Sequence, residues 1–199
     1  VPAVRKSKSL DRGYFEDLYK KDGDPWNFVT SSYEQAKYQR TLSVLYGERA
    51  RQALEVGCSI GVLTEKLAVH CGHLLATDIS QTALERAKRR CGSLQNVDFR
   101  LVSSATESFE GVFDLIVLSE VVYYWDDSDI EAVAERLEKS ITPGGRILMV
   151  HWLGDTDYPK SADEAVEGLS SRLIGLYDIE LAERNQDYRL DLWRWSSLR

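Results

Sequence analysis

Glu55, Gly57, Gly61 and Asp78 are the residues whose types and spacing first suggest chemistry. The run Leu54-Glu55-Val56-Gly57-Cys58-Ser59-Ile60-Gly61 ends an apolar strand and opens a helix. Gly57 lets the chain turn sharply, and Gly61 lets the helix start lie close to a ligand. Asp78 comes 23 residues after Glu55, at the end of the next strand. A carboxylate there can accept both hydroxyl protons of a ribose. Alone, a Gly-x-x-x-Gly turn says little; with an acid on the second strand it indicates an adenosine-type ligand. A dinucleotide requires Gly-x-Gly-x-x-Gly, whereas Ser59 stands at the second glycine and Gly61 comes one residue too soon for the third. No Gly-Lys-Ser/Thr follows, so a P-loop is absent. Glu55 sits badly beside a pyrophosphate and well beside a cationic ligand without phosphates. S-adenosylmethionine has a ribose, an ammonium, a carboxylate and a sulfonium, and no phosphate.

The elements that must position these residues alternate. Strands are expected at 52–56, 73–76, 97–101, 113–118 and 146–152, with helices between them. The first helix spans about 61–70. Ser80 caps the second, which buries Ala83, Leu84 and Ala87, and Asp129 caps the one carrying Ile130, Val133, Ala134 and Leu137. Phe113-Asp114-Leu115-Ile116-Val117-Leu118 is apolar enough for a strand covered on both faces. Pro143-Gly144-Gly145 makes a turn. Residues 179–184 and 188–195 form a closing strand pair joined by Asn185-Gln186-Asp187, after an insertion over 154–176. Repeated βα units imply an α/β fold, doubly wound around a mostly parallel seven-stranded sheet. Ligands of such sheets bind beyond the carboxyl ends of the strands. Before the sheet, Asp24-Pro25-Trp26-Asn27-Phe28 reads as a loop. Ser32-Tyr33-Glu34-Gln35 reads as a capping box opening a helix to about Tyr46. This front section would be an N-terminal helical lid. The whole chain, 1–199, reads as one domain: arm and lid over 1–50, cofactor-binding core over 51–152, insertion and closing strands over 153–199.

Composition narrows the partners. The formal net charge is −7, from 25 basic and 32 acidic residues, which argues against an electrostatic grip on nucleic acid. Cys58, Cys71 and Cys91 form neither a disulfide framework nor a zinc pattern, so no metal is expected, and a reducing, cytoplasmic setting is. No apolar run is long enough to span a bilayer. The stretch from Val1 to Arg12 is basic without the apolar core of a signal peptide, and is expected to be a mobile arm. The oligomeric state is not legible.

The motif Glu55-x-Gly57-x-x-x-Gly61 resembles motif I of class I S-adenosylmethionine methyltransferases, with Ser59 departing from the middle glycine. Asp78, Phe113-Asp114-Leu115-Ile116 and Leu137 through Met149 with Pro143-Gly144-Gly145 resemble later landmarks of the same class, in order. The chain is more closely similar to one subgroup, the nodulation protein S family. The similarity rests on Asp24-Pro25-Trp26-Asn27-Phe28, Ser32-Tyr33-Glu34, Lys37-Tyr38, Ser119-Glu120-Val121-Val122-Tyr123-Tyr124 and Asp187-Tyr188-Arg189-Leu190-Asp191-Leu192-Trp193. The resemblance implies S-adenosylmethionine as cofactor and S-adenosylhomocysteine as product. It implies an oligosaccharide acceptor, methylated on the free amine at the non-reducing end of a de-N-acetylated chitooligosaccharide. Another small N- or O-acceptor, or a non-catalytic S-adenosylmethionine-binding role, are the alternatives; a dehydrogenase is distant.

That resemblance assigns roles. Glu55, Gly57 and Gly61 shape the methionine end of the cofactor site, Asp78 holds the ribose, and Ile79 packs on adenine. Ala105, Thr106 and Glu107 lie where the family contacts adenine, with Ser104-Ala105 in place of the common aspartate. Arg40 pairs with the methionine carboxylate or is an exposed helix arginine. Trp26 and Tyr33 close over the cofactor or pack in the core. Ser119 lies beside the transferring methyl. Glu120 or His151 takes or relays the amine proton, His151 being equally well a hydrogen-bonded strand-end residue. Tyr123, Tyr124 and Trp125 offer aromatic faces to a sugar, and Asp126 and Asp127 attract its cationic amines. Core packing and helix capping compete for both groups.

Overall fold

Apolar positions along β1 (Ala50–Val56), β2 (Cys71–Asp78) and β3 (Val97–Leu101) place these strands side by side and parallel, with Leu54 opposite Leu75 and Ala76 opposite Phe99. This computed structural model describes residues 4–196, in two compact units. The first unit is Asp11–Val102. Its helices are α1 (Arg12–Lys21), α2 (Ser32–Ser43), α3 (Val62–Leu67) and α4 (Gln81–Arg90). The hydroxyl of Ser80 accepts from the Ala83 N–H at 3.1 Å and starts α4, as its sequence indicates. Ala76, Leu84, Ala87 and Cys58 then form a buried cluster against Val97, Phe99 and Leu101.

Helix boundaries in this unit depart from the pattern. The cap of α2 is Ser31, which accepts from Glu34 N–H at 3.3 Å, and the capping box read at Ser32 does not form. Gln35, whose side-chain oxygen would be the reciprocal acceptor, instead donates through Nε2 to the Phe28 carbonyl at 2.9 Å. The helix expected over 61–70 ends at Leu67 and tightens into a 3-10 turn, Ala68–His70, before the chain enters β2.

The second unit combines residues 4–10 with those from Ser103 onward. It holds β4 (Phe113–Ser119), α5 (Asp127–Ser140), β5 (Ile141–Trp152), α6 (Ala162–Arg172), β6 (Tyr177–Arg184) and β7 (Tyr188–Trp195). β4 and β5 are parallel; β5 with β7 and β6 with β7 are antiparallel. The cap of α5 is Asp126 rather than Asp129, because its carboxylate reaches the N–H groups of both Ser128 and Asp129 at 3.1 Å. Pro143-Gly144-Gly145 lies inside β5, not before it. Pairing jumps from Phe113 opposite Ile141 to Leu115 opposite Arg146, so the turn is extruded as a bulge, with Gly144 at φ 75°. The insertion supplies α6, opened by a full capping box between Ser161 and Glu164. The hairpin turn closes where Asn185 accepts from the N–H groups of Asp187 and Tyr188.

The arm is held, not mobile, over its described part. Lys6 N–H donates to the Asp157 carbonyl at 2.8 Å and Leu10 N–H to that of Tyr124 at 2.9 Å. Ser9 and Asp126 exchange backbone-to-side-chain bonds, and Arg5 pairs with Glu164. Residues 1–3 lie outside the described residues. The strands follow the order β3-β2-β1-β4-β5-β7-β6, the mostly parallel seven-stranded arrangement that the alternating pattern implies, ending in the closing antiparallel pair. All three cysteines are buried. Among the described residues, no helix is long and apolar enough to cross a membrane.

Candidate functional site

The first unit gathers Glu55, Gly57, Ser59, Gly61 and Asp78 at one strand end. The turn after β1 takes three left-handed residues, Gly57 at φ 77°, Ser59 at 52° and Gly61 at 82°. Serine in that conformation is strained, and its fixed N–H donates to Asp78 Oδ2 at 2.7 Å. Ser80 N–H donates to Oδ1 at 2.8 Å. Each oxygen thus keeps acceptor capacity for a further donor, such as one of two vicinal hydroxyls. Burial lifts the Asp78 carboxyl to about 6, against the pull of the Ser80, Ser59 and Ile79 backbone N–H groups.

Glu55 is 1% exposed. Burial pushes its carboxyl up to about 7; the Thr64 hydroxyl opposes this and Asp78 adds to it. The Thr64 hydroxyl lies beside the carboxyl, but neither Glu55 Oε2 nor Thr64 Oγ1 makes a hydrogen bond of regular geometry among the described residues. A buried, unsatisfied carboxylate is costly, and a cationic donor placed against it would offset that cost. This arrangement fits a ligand with a positively charged nitrogen and a diol. Gly61 also has a packing task. A Cβ there would stand 3.0 Å from Ala87 Cα and 3.1 Å from Ala87 Cβ, so this glycine lets α3 pack on α4. Ile79 is half-buried.

Spacing gave no sign of Tyr19. It is buried, and its hydroxyl bonds Ser59 Oγ at 2.5 Å across 40 positions of sequence. Trp26 meets Tyr19 edge-on at 5.8 Å and stacks on Phe28 at 5.5 Å. Glu16, also on α1, accepts from Gln81 N–H, Thr82 N–H and the Thr82 hydroxyl. Helix α1 is therefore fastened to the start of α4. Neighbouring Tyr33 lies 5.1 Å beneath the buried Lys37 ammonium, which also pairs with Glu34 at 2.9 Å. Arg40 donates to Ser43 Oγ at 2.8 Å, a local bond within α2.

The second unit builds a smaller cluster beyond β4. Ser119, half-buried, ends the strand. Glu120 takes φ 54°, and its Oε2 accepts from the Tyr123 hydroxyl at 2.5 Å and the Trp152 N–H at 2.9 Å. Burial, then the Glu120 charge, raises the Tyr123 phenol well above its ordinary value, so it remains a donor. His151 is fully buried; its Nε2 accepts from Val122 N–H at 3.2 Å, and its ring meets Tyr123 edge-on at 5.3 Å. That is the setting of the strand-end alternative. Tyr123, Tyr124 and Trp125 are all buried, at 5%, 8% and 6% exposure. Tyr123 and Tyr124 pack on Tyr158 at 5.3 and 4.8 Å, so the open aromatic face read from their sequence is not formed. Asp126 caps α5, and Asp127 pairs with Lys160 at 2.9 Å. Ala105, Thr106 and Glu107 belong to a turn bonded to itself, in which Glu107 accepts from Ser103 N–H at 3.1 Å.

Comparison with known proteins bears on this geometry. The Nodulation protein S (NodS) family profile matches residues 14–149. Nodulation protein S of Rhizobium tropici is 34% identical over 128 residues, 63% of this chain and 53% of that protein. The chain thus spans about half the length of this curated relative. The crystal structure of N-methyltransferase NodS from Bradyrhizobium japonicum, in complex with S-adenosyl-L-homocysteine, aligns over 94% of this chain and 99% of that one. Its TM-score is 0.81 at 23% identity. The [4+2]-cyclase SpnF aligns over 98% and 99%, at a TM-score of 0.73 and 13% identity. At these identities the structural likenesses establish the methyltransferase-type fold, and SpnF illustrates that this fold also carries other chemistry. With a profile match over most of its length, the chain belongs to the nodulation protein S family.

Proposed function

We propose that this protein is an S-adenosylmethionine-dependent N-methyltransferase whose acceptor is the free amine at the non-reducing end of a de-N-acetylated chitooligosaccharide. The observation that carries the cofactor reading is Glu55, a buried carboxylate with one oxygen unpartnered, at the end of β1 beside the strand that Asp78 ends. Glu55 would hold the ammonium of the cofactor and Asp78 its ribose hydroxyls, with Gly57 keeping the turn open between them. The cofactor supplies the methyl group from its sulfonium centre. Family membership, and the N-methyltransferase named in the structurally similar protein, support transfer to nitrogen.

An amine acceptor must shed a proton to offer its lone pair, and Glu120 would be the carboxylate that takes it. Two donors fix Oε2, and the residue stands in the left-handed region just past the end of β4. His151 serves by holding the Val122 backbone beside it. Burial of Tyr123, Tyr124 and Trp125 favours a second reading, a smaller amine acceptor that needs no aromatic platform.

The test is methyl transfer from radiolabelled S-adenosylmethionine to chitooligosaccharides with and without a free terminal amine. Label only in the deacetylated sugar supports the proposal. No label in either, with S-adenosylhomocysteine still bound on calorimetry, removes the sugar acceptor and leaves the cofactor assignment. Glu120→Gln should lower kcat by roughly 10²-fold or more, with cofactor affinity unchanged. Wild-type turnover by that variant would remove Glu120 as proton acceptor.

A further inference from the structure

The three aromatic residues read as a sugar platform are buried, yet one large aromatic side chain beside Glu120 is not. Trp152, the last residue of β5, is 40% exposed. Its own backbone N–H is the donor that fixes Glu120 Oε2 at 2.9 Å. The indole therefore begins one Cα from the group that fixes the carboxylate. It also has a seat. A Cβ built on Gly154 would fall 2.0 Å from Trp152 Cζ2, 2.1 Å from Cη2 and 2.5 Å from Cε2. With the third atom, Cε2, at only 2.5 Å, the point lies above the ring plane; an approach at the ring edge would leave Cε2 farther away. The Gly154 backbone thus covers one face of the benzene half of the indole, and any side chain at 154 would displace the ring. The backbone that follows is anchored, since Leu153 N–H donates to the Asp187 carbonyl at 2.8 Å.

We propose that Trp152 is a specificity-determining residue: a stacking platform that receives the pyranose ring bearing the acceptor amine. An isolated exposed tryptophan needs no explanation by itself. What needs one is its combination with a glycine seat and a shared hydrogen bond to the candidate proton acceptor. A β-linked glucosamine ring presents axial C–H groups on each face and polar groups at its rim. An indole face offers the matching apolar, electron-rich surface, while Glu120 addresses the amine. This inference rests on the amino-sugar reading above and assigns its selectivity to one side chain. A phenylalanine at 152 would keep a flat face of smaller area, and an alanine would keep none.

The experiment uses the full chain with deacetylated chitotetraose as probe, in two readouts. The first is kinetic. Trp152→Ala should raise KM for the sugar by about tenfold, worth about 1.4 kcal/mol, with kcat within about twofold and S-adenosylhomocysteine affinity unchanged. Trp152→Phe should recover most of the loss. The second is binding without turnover. Adding the sugar should change the tryptophan fluorescence of the wild-type protein, and Trp152→Phe should abolish that change. A wild-type KM in Trp152→Ala, or a fluorescence response that is absent or survives in Trp152→Phe, overturns the proposal. A response lost in Trp152→Phe while the wild-type protein transfers no methyl keeps the platform and overturns the methyl-transfer reading instead.

Discussion

The turn after β1 and the turn after β4 are built alike and left in opposite electrostatic states. Each puts a non-glycine residue in the left-handed region, Ser59 at φ 52° and Glu120 at φ 54°. Each receives a tyrosine hydroxyl at 2.5 Å, from Tyr19 and from Tyr123. At the first turn the acids of the neighbouring strand ends, Glu55 and Asp78, are buried, raised and, at Glu55 Oε2, unpartnered. In the second, the carboxylate oxygen already accepts two donors. The difference separates two uses of a carboxylate. On the proposed function, one would be held ready for a ligand that completes it, and the other held still to act on a proton.

The sharpest break of the first turn is Gly61→Val. The new Cβ meets Ala87 at about 3 Å at a φ of 82°, so both packing and backbone strain oppose it. It should cost roughly 3 kcal/mol or more, read as a lowered melting temperature. A wild-type melting temperature would return Gly61 to the role of ligand approach.

A smaller effect tests the charge. The Glu55 carboxyl has an ordinary value near 4.5 and rises to about 7 in the folded chain. The unfolded chain therefore ionises first as pH rises, and the free protein loses up to about 3 kcal/mol of stability between those pH values. Glu55→Gln should melt higher than wild type at pH 8 and alike at pH 4. Affinity for S-adenosylhomocysteine should rise with pH from 5.5 to 7.5 in the wild type, because the charged carboxylate is the binding form. In the variant that rise should shrink and its midpoint fall toward 6, the value at Asp78. Equal pH profiles in titration calorimetry would detach Glu55 from the ligand.

The smallest effect is expected from Tyr19→Phe, which removes one neutral donor from Ser59. A loss of about 0.5–1.5 kcal/mol in stability, with ligand affinity nearly kept, would mark Tyr19 as a support. A larger loss in affinity than in stability would make it part of the binding surface.

What the sequence disclosed follows from the range of the interactions. Strand pattern, the Glu55-to-Asp78 spacing and the Ser80 cap are local, and the fold bears them out. The Asn185 turn is local as well. The bond of Tyr19 to Ser59 and the docking of residues 4–10 are not, because their partners lie 40 or more positions away. Two caps slipped for a competitive reason: Ser31 and Asp126 lie next to or near the polar residues chosen, and only the backbone decides which one faces the free N–H groups. Exposure was the hardest quantity to read. Five aromatic residues crowd the ends of β4 and β5, and composition alone does not say that Trp152 is the open one among Tyr123, Tyr124, Trp125, Trp152 and Tyr158.

The buried cysteines carry a consequence for observing this molecule at work. Cys58 lies in the turn after β1, Cys71 opens β2, and Cys91 ends α4, all in the unit that holds Glu55 and Asp78. Burial holds the Cys58 thiol well above its usual range and lifts that of Cys91 to about 11, so neither forms the reactive thiolate while the unit is closed. Alkylation must then wait for local opening. The rate of thiol labelling becomes a native chronometer of that unit's breathing, and a ligand that completes Glu55 should slow it without any engineered probe.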